Sequence, residues 1–128
     1  MKLYKFNNIK FCLGENAEDN WDIFEKSKKI NENYIWFHLN SFSSPYVIMY
    51  ATTYDIKTLN DSYLNYGVGL CLDLDSYLNY GAGLCLENSK YSYLLDTKII
   101  YSELKKLKKG NKVGEIIISG KKKLMKLN

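Results

Sequence analysis

Apolar and polar residues alternate in short bursts along this chain, and most of the bursts have the two-residue period of a strand. Leu3–Phe6 and Ile9–Leu13 are two such pieces separated by Asn7-Asn8, a pair suited to a tight turn, so they predict a hairpin. Gly14 breaks the second piece. Asn16 can then cap a helix, with Asp19 three positions on as in a capping box, and Glu18, Asp19 and Asp22 set negative charge at the positive end of the helix dipole. Lys26, Lys28 and Lys29 complement the other end, and Trp21 with Phe24 lie at helical spacing, which predicts an amphipathic helix over about residues 17–29. Ile35, Phe37 and Leu39 alternate with Tyr34, Trp36, His38 and Asn40, predicting a strand with one apolar and one mixed face, Trp36 and His38 sharing a side. Tyr46–Tyr50 reads as a further strand or the start of a helix. Lys98–Tyr101, Val113–Ser119 and Lys122–Leu127 restore β character, with Gly120 at the final turn.

The middle of the chain is a tandem repeat. Asp61-Ser-Tyr-Leu-Asn-Tyr-Gly-Val-Gly-Leu-Cys-Leu-Asp-Leu74 is followed at once by Asp75-Ser-Tyr-Leu-Asn-Tyr-Gly-Ala-Gly-Leu-Cys-Leu-Glu-Asn88, and only three of the 14 positions differ. Two copies are too few for a solenoid, and such near-identity points to a recent duplication. Fourteen residues is close to four helical turns, so an inserted copy would lengthen a helix by about 21 Å while hardly rotating its apolar face. Four glycines, at 67, 69, 81 and 83, oppose a helix, and Val68, Leu70 and Leu72 alternate like a strand. The first copy is therefore open to a helical, loop or hairpin reading. The Gly-x-Gly units lack the third glycine of a dinucleotide fingerprint.

Composition narrows the class. At 128 residues with 46% hydrophobic content, the chain suits one domain, residues 1–128, with one core. No apolar stretch approaches the roughly 20 residues of a membrane span, and Met1–Lys10 is too polar for a secretory signal, so a soluble, cytoplasmic protein with no membrane partner is expected. Three cysteines, Cys12, Cys71 and Cys85, and the single His38 offer neither a metal-binding spacing nor a disulfide framework. No metal or other cofactor is expected. The same scarcity leaves no nucleophile, base and orienting group at recognisable spacing, so an enzyme is not expected.

The net charge of +4 conceals an asymmetry. Residues 1–89 hold 7 lysines against 11 acids, net −4, whereas residues 90–128 hold 11 lysines against 3 acids, net +8. All 18 cationic residues are lysine, a bias of the kind an AT-rich genome produces. Lys105, Lys106, Lys108, Lys109 and Lys112 place five ammonium groups within eight positions, which predicts a basic loop able to grip phosphates without reading bases. Full engagement would give a salt slope of roughly −3.5 on single strands and −4.5 on duplex DNA.

Three segments carry a resemblance: Gly14-Glu-Asn-Ala-Glu-Asp-Asn20, Tyr34-Ile-Trp-Phe-His38 and Ser43-Ser-Pro-Tyr-Val47. Together they resemble the NFACT-R domain, found at the end of ribosome quality-control proteins that bind the large ribosomal subunit and tRNA, and alone in small proteins including the coiled-coil domain-containing protein 25 branch. Leu104–Gly114 resembles that family's lysine-rich, glycine-containing connection. Ala82, Leu84, Ser89 and Lys90 fall where its helix ends in a Ser-Lys pair, which makes 75–88 the native helix and 61–74 the insert. The resemblance spans about residues 9–50 and 82–127. It implies a single α+β domain, a mixed β-sheet packed with helices, that binds nucleic acid rather than catalysing a reaction. Two departures stand out. Tyr34 replaces an acid, and Tyr46 replaces a second histidine.

Candidate nucleic-acid-binding residues follow. Trp36 and His38 suit base stacking and phosphate or sugar contact on a sheet face, against the alternative that they pack beneath a helix. Ser43, Ser44 and Lys90 join them through the resemblance, and Lys105, Lys106, Lys108, Lys109 and Lys112 form the phosphate grip. Asn16 reads as a cap before it reads as a ligand contact. The expected polymer is RNA, tRNA or rRNA, with DNA the nearest alternative. A protein-docking role for the duplicated Tyr-Leu-x-Tyr segment is a third reading, with partners unknown.

Overall fold

The computed structural model describes residues 1–65, 73–93 and 96–127, with side chains described throughout these except in 60–65. The two strands expected at the start form as β1 (Lys2–Phe6) and β2 (Ile9–Leu13). They pair antiparallel from Lys2 opposite Leu13 to Phe6 opposite Ile9. Asn7 and Asn8 sit at φ +48° and +67°, the left-handed pair that a two-residue hairpin turn with the right twist requires, and asparagine tolerates it better than most residues. Next comes α1 (Ala17–Ile30): Asn16 caps it by accepting from the Asp19 N–H at 2.8 Å, and the Asp19 carboxylate reaches back to the Glu15 N–H at 2.9 Å.

β3 (Ile35–Leu39) and β4 (Val47–Met49) follow, then two helices, α2 (Thr53–Asn65) and α3 (Leu74–Glu87). The start of α2 is written in a capping box that the sequence reading passed over. Thr52 Oγ1 accepts from the Asp55 N–H at 3.0 Å while the Asp55 carboxylate accepts from the Thr52 N–H at 2.9 Å. The second copy of the repeat is α3, and the last acid of the first copy, Asp73, is its N-cap. The first copy's opening residues complete α2, and the choice between helix, loop and hairpin for its remainder falls on 66–72, outside the described residues.

β5 (Lys98–Glu103), a 3₁₀ turn (Leu104–Lys106), β6 (Leu107–Lys109), β7 (Ile116–Ile118) and β8 (Lys123–Lys126) finish the chain. Six strands form one sheet in the order β1, β2, β4, β3, β5, β8, and β6 with β7 makes a separate two-stranded hairpin. The α+β fold of a sheet packed with helices is the one expected. In detail the sheet is antiparallel at every described pairing rather than mixed.

The alternation in β3 sorts its side chains onto two cores. Ile35, Phe37 and Leu39 face α3, packing with Val47, Met49, Tyr77, Ala82 and Ile99. Trp36 points the other way, into a second core made by Ile23 and Phe24 of α1, Ile48, Ile100, and Leu104 and Leu107 at the start of the β6–β7 hairpin. Helix α3 lies close on the sheet because residue 81 has no side chain: a Cβ there would meet the Phe37 ring at 2.5 Å, and Phe37 is fully buried. Gly83, by contrast, faces open space. Gly83→Ala should therefore stabilise the protein by about 0.5–1 kcal/mol through helix propensity alone. Gly81→Ala should destabilise it, because overpacking of about 1–3 kcal/mol exceeds that gain. Urea unfolding of the two variants beside the parent reads both signs.

Candidate functional site

An open groove of about 1170 Å³ runs between the end of α3, the 40–46 connection, the start of α1 and the β6–β7 hairpin. Five of the residues singled out from the sequence line it: Trp36, His38, Ser43, Ser44 and Lys90. Its volume lies just above the roughly 300–1,000 Å³ typical of a small-molecule pocket.

Tyr46 shapes the floor. Its ring stands edge-on to both Trp36 (centroids 5.5 Å apart) and His38 (5.7 Å), which stack on each other at 5.4 Å with planes only 7° apart. The phenol hydroxyl donates to the Gly114 carbonyl in the turn of the β6–β7 hairpin. Burial pushes the Tyr46 phenol far above its ordinary pKa, so it stays a donor at every relevant pH. Its backbone is held as well: the N–H donates to Asn20 Oδ1 at 3.1 Å, and the carbonyl accepts from the Gly14 N–H at 2.9 Å. Gly14 is required here, since a Cβ would sit 1.8 Å from Asn20 Oδ1. The Gly-x-Asn-x-x-x-Asn run thus docks α1 against the sheet, Asn16 by capping and Asn20 by clamping Tyr46.

Trp36 is not on an exposed face. At 2% exposure it lies under α1 and the hairpin, so it cannot stack on a base without moving, and the packed alternative holds for it. The expected exposed face is covered because Leu104 and Leu107 draw the hairpin onto it. The indole N–H finds no acceptor, one of two buried side-chain polar atoms among the described residues without a partner, the other being Asn33 Oδ1. His38 is half-buried. Since Leu39 O at 2.8 Å can only accept, Nδ1 carries the proton in the neutral ring and Nε2 is the acceptor. Burial lowers its pKa below the usual 6.5, the bond to Leu39 opposing only in part, so the imidazole is neutral at pH 7 and does not act as a phosphate-binding cation.

Ser44 is committed locally: its hydroxyl accepts from the Leu39 N–H at 3.0 Å and donates to Pro45 O at 3.1 Å. Ser43 is exposed and Lys90 stands exposed at the end of α3. The two described thiols are buried, and Cys85 is pushed up to about 12, which makes it inert as a nucleophile.

The lysine cluster is more ordered than the loop expected. Lys105 and Lys106 lie in the 3₁₀ turn, both paired with Glu103, at 3.4 and 4.0 Å. Lys108 and Lys109 sit on β6, paired with β7. Lys109 bonds Glu25 of α1 and lies 4.8 Å over the Trp21 ring, while the Trp21 indole donates to Glu115 O at 3.0 Å. Only Lys112 lies in the true turn, and like Lys108 it is exposed. None of these five lines the groove. Lys106 does line a second concavity with Lys121, Lys122 and Lys123, and the two concavities share Gly120 and Lys122. The Lys121–Lys123 run was missed, although three consecutive lysines after Gly120 were there to be seen. None of these three has a carboxylate within 4.0 Å among the described residues.

Among the described residues no cluster of three metal-ligating side chains forms, and no helix is long and apolar enough to cross a membrane. No family model matches this chain, and no curated protein does. The fold is shared with the C-terminal part of the fibronectin/fibrinogen-binding protein from Streptococcus suis, at a TM-score of 0.67 and 19% identity over 93% of this chain. This chain covers 40% of that structure's length.

Two outcomes follow from the site. Because His38 binds its proton less readily when folded than when unfolded, its contribution to stability is complete above pH 6.5 and drains as pH falls through that value toward the folded one. The urea midpoint of the parent should therefore fall more steeply between about pH 7.5 and pH 5 than that of His38→Gln. Tyr46→Phe should cost about 1 kcal/mol in the same assay, the worth of its bond to Gly114.

Proposed function

We propose that this chain is a non-catalytic nucleic-acid-binding domain that takes RNA in preference to DNA. The observation that carries the reading is the continuity of the groove with the concavity of Lys106, Lys121, Lys122 and Lys123 through Gly120 and Lys122. A phosphate backbone tracking those lysines would present its sugars and bases to the groove. Lysine without arginine favours backbone grip over base readout. The neutral His38 leaves an acceptor nitrogen suited to a ribose 2′-hydroxyl, which DNA lacks. The resemblance to NFACT-R domains makes tRNA or rRNA, in the setting of the large ribosomal subunit and its quality control, the first polymer to test.

A protein-binding role is the second reading, favoured by the name of the Streptococcus suis protein that shares the fold. The duplicated tyrosines do not support it in the second copy. Tyr77 is fully buried, and Tyr80 stacks on Phe6 at 4.6 Å.

Anisotropy titration of labelled tRNA, and of a DNA duplex of matched length, across a salt series separates these readings. If the four lysines at 106, 121, 122 and 123 each neutralise a phosphate, the slope of log affinity against log salt on single-stranded segments is about −3. Changing all four to glutamine should abolish most of the binding and flatten the slope. Binding that ignores both salt and the substitutions, or fibronectin capture by the parent protein, overturns it.

A further inference from the structure

The groove carries an aromatic pair in which Tyr91 packs against the core of the sheet and Phe42 leans on it from solvent. Phe42 and Tyr91 meet at its rim with ring centroids 4.6 Å apart and planes tilted by 38°. Phe42 keeps 38% of its surface in solvent although it is among the most apolar side chains in the protein. The backbone that presents it is held, not loose. Ser41 sits at φ +69°, a left-handed conformation that costs a serine energy, and Ser44 pins the far side of the connection to the Leu39 N–H. Asn40 N–H is tied to Lys98 O at 2.9 Å. Tyr91 is held in turn by its N–H, which donates to Ser89 Oγ at 3.1 Å. The backbone beneath both rings is therefore held at the lip of the groove, and the Phe42 ring is partly exposed.

Charge supplies the second half of the argument. Lys90 precedes Tyr91 and Lys122 lies on the same groove, while the groove's acids are Glu15, beside the start of α1, and Glu115, whose carboxylate accepts from the Asn111 N–H at 3.1 Å in the hairpin turn. A phosphate is thus favoured toward the lysines and away from the α1 end. The geometry points to Phe42 and Tyr91 as a stacking platform for an unpaired nucleobase of single-stranded RNA, with the adjoining phosphates on Lys90 and Lys122. Trp36, the ring the sequence suggested for this task, supports the floor instead. This assignment rests on the RNA-binding reading and sharpens it: the ligand is a single strand, or a structured RNA with an unpaired end or loop, and not a duplex.

The test is anisotropy binding of a labelled twelve-nucleotide unstructured RNA, and of a blunt-ended, fully paired RNA duplex, to the full chain. The variants are Phe42→Ala, Tyr91→Ala, Tyr91→Phe and the glutamine substitutions at 106, 121, 122 and 123. Both aromatic positions are at the surface rim, and far-ultraviolet circular dichroism checks that the variants fold. Each alanine variant is expected to lose about ten-fold to a hundred-fold in single-strand affinity, the worth of one base–aromatic stack, with the salt slope unchanged. Tyr91→Phe should bind as the parent does, since the ring face is kept. Unchanged single-strand affinity in both alanine variants, with binding still lost in the lysine variant, overturns the platform and leaves the RNA reading standing. Equal losses on the paired duplex also overturn it, and absence of any RNA binding by the parent protein overturns both.

Discussion

Tyr46 ties three layers of this protein together at the floor of the groove. Its N–H and carbonyl fasten β4 to Asn20 of α1 and to Gly14 at the end of β2, its ring wedges against Trp36 and His38 of β3, and its hydroxyl reaches the hairpin turn at Gly114. Gly114 must itself lie close to α1, because a Cβ at its φ of +90° would meet Ala17 at 2.9 Å. One residue therefore sets the spacing of the sheet, the helix and the hairpin, which are three of the groove's boundaries. The site's histidine is half-buried, and that burial lowers its pKa.

The division of labour between the groove and the lysines has a physical logic. Some lysines are held within the fold: Lys109 pairs with Glu25, Lys105 with Glu103 at 3.4 Å, and the Lys28 ammonium donates to the Leu107 carbonyl at 2.8 Å. These contacts fasten the hairpin to α1 and to the end of β5. Lys121–Lys123 have no carboxylate within 4.0 Å among the described residues and are exposed, where solvent makes the charge inexpensive and leaves it open to a polyanion. A run of lysine in a sequence thus splits into structural and free members only when the acids that meet it are known.

The glycines of the repeat show the same dependence on context. Gly81 and Gly83 belong to one Gly-x-Gly unit, but Gly81 is the point of closest approach between α3 and Phe37, whereas Gly83 touches nothing. Ala82 between them is fully buried, so the unit is a packing surface on its Gly81 and Ala82 sides alone.

Local chemistry made much of the fold legible. The Asn7-Asn8 turn, the Asn16 cap and the alternation in β3 each act over a few residues, and each forms where the pattern put it. The capping box at Thr52 and the triple lysine at 121–123 were equally local and equally readable. What the sequence could not carry was which face of β3 is covered. Alternation assigns Trp36 and His38 to one side, but only the docking of α1 and the β6–β7 hairpin through Leu104 and Leu107 decides that this side is buried. Exposure is a property of two surfaces meeting, and the partners here are 68 and 71 residues apart from Trp36 along the chain. For the same reason the aromatic pair of Phe42 and Tyr91 was invisible before folding brought the 40–46 connection beside the end of α3.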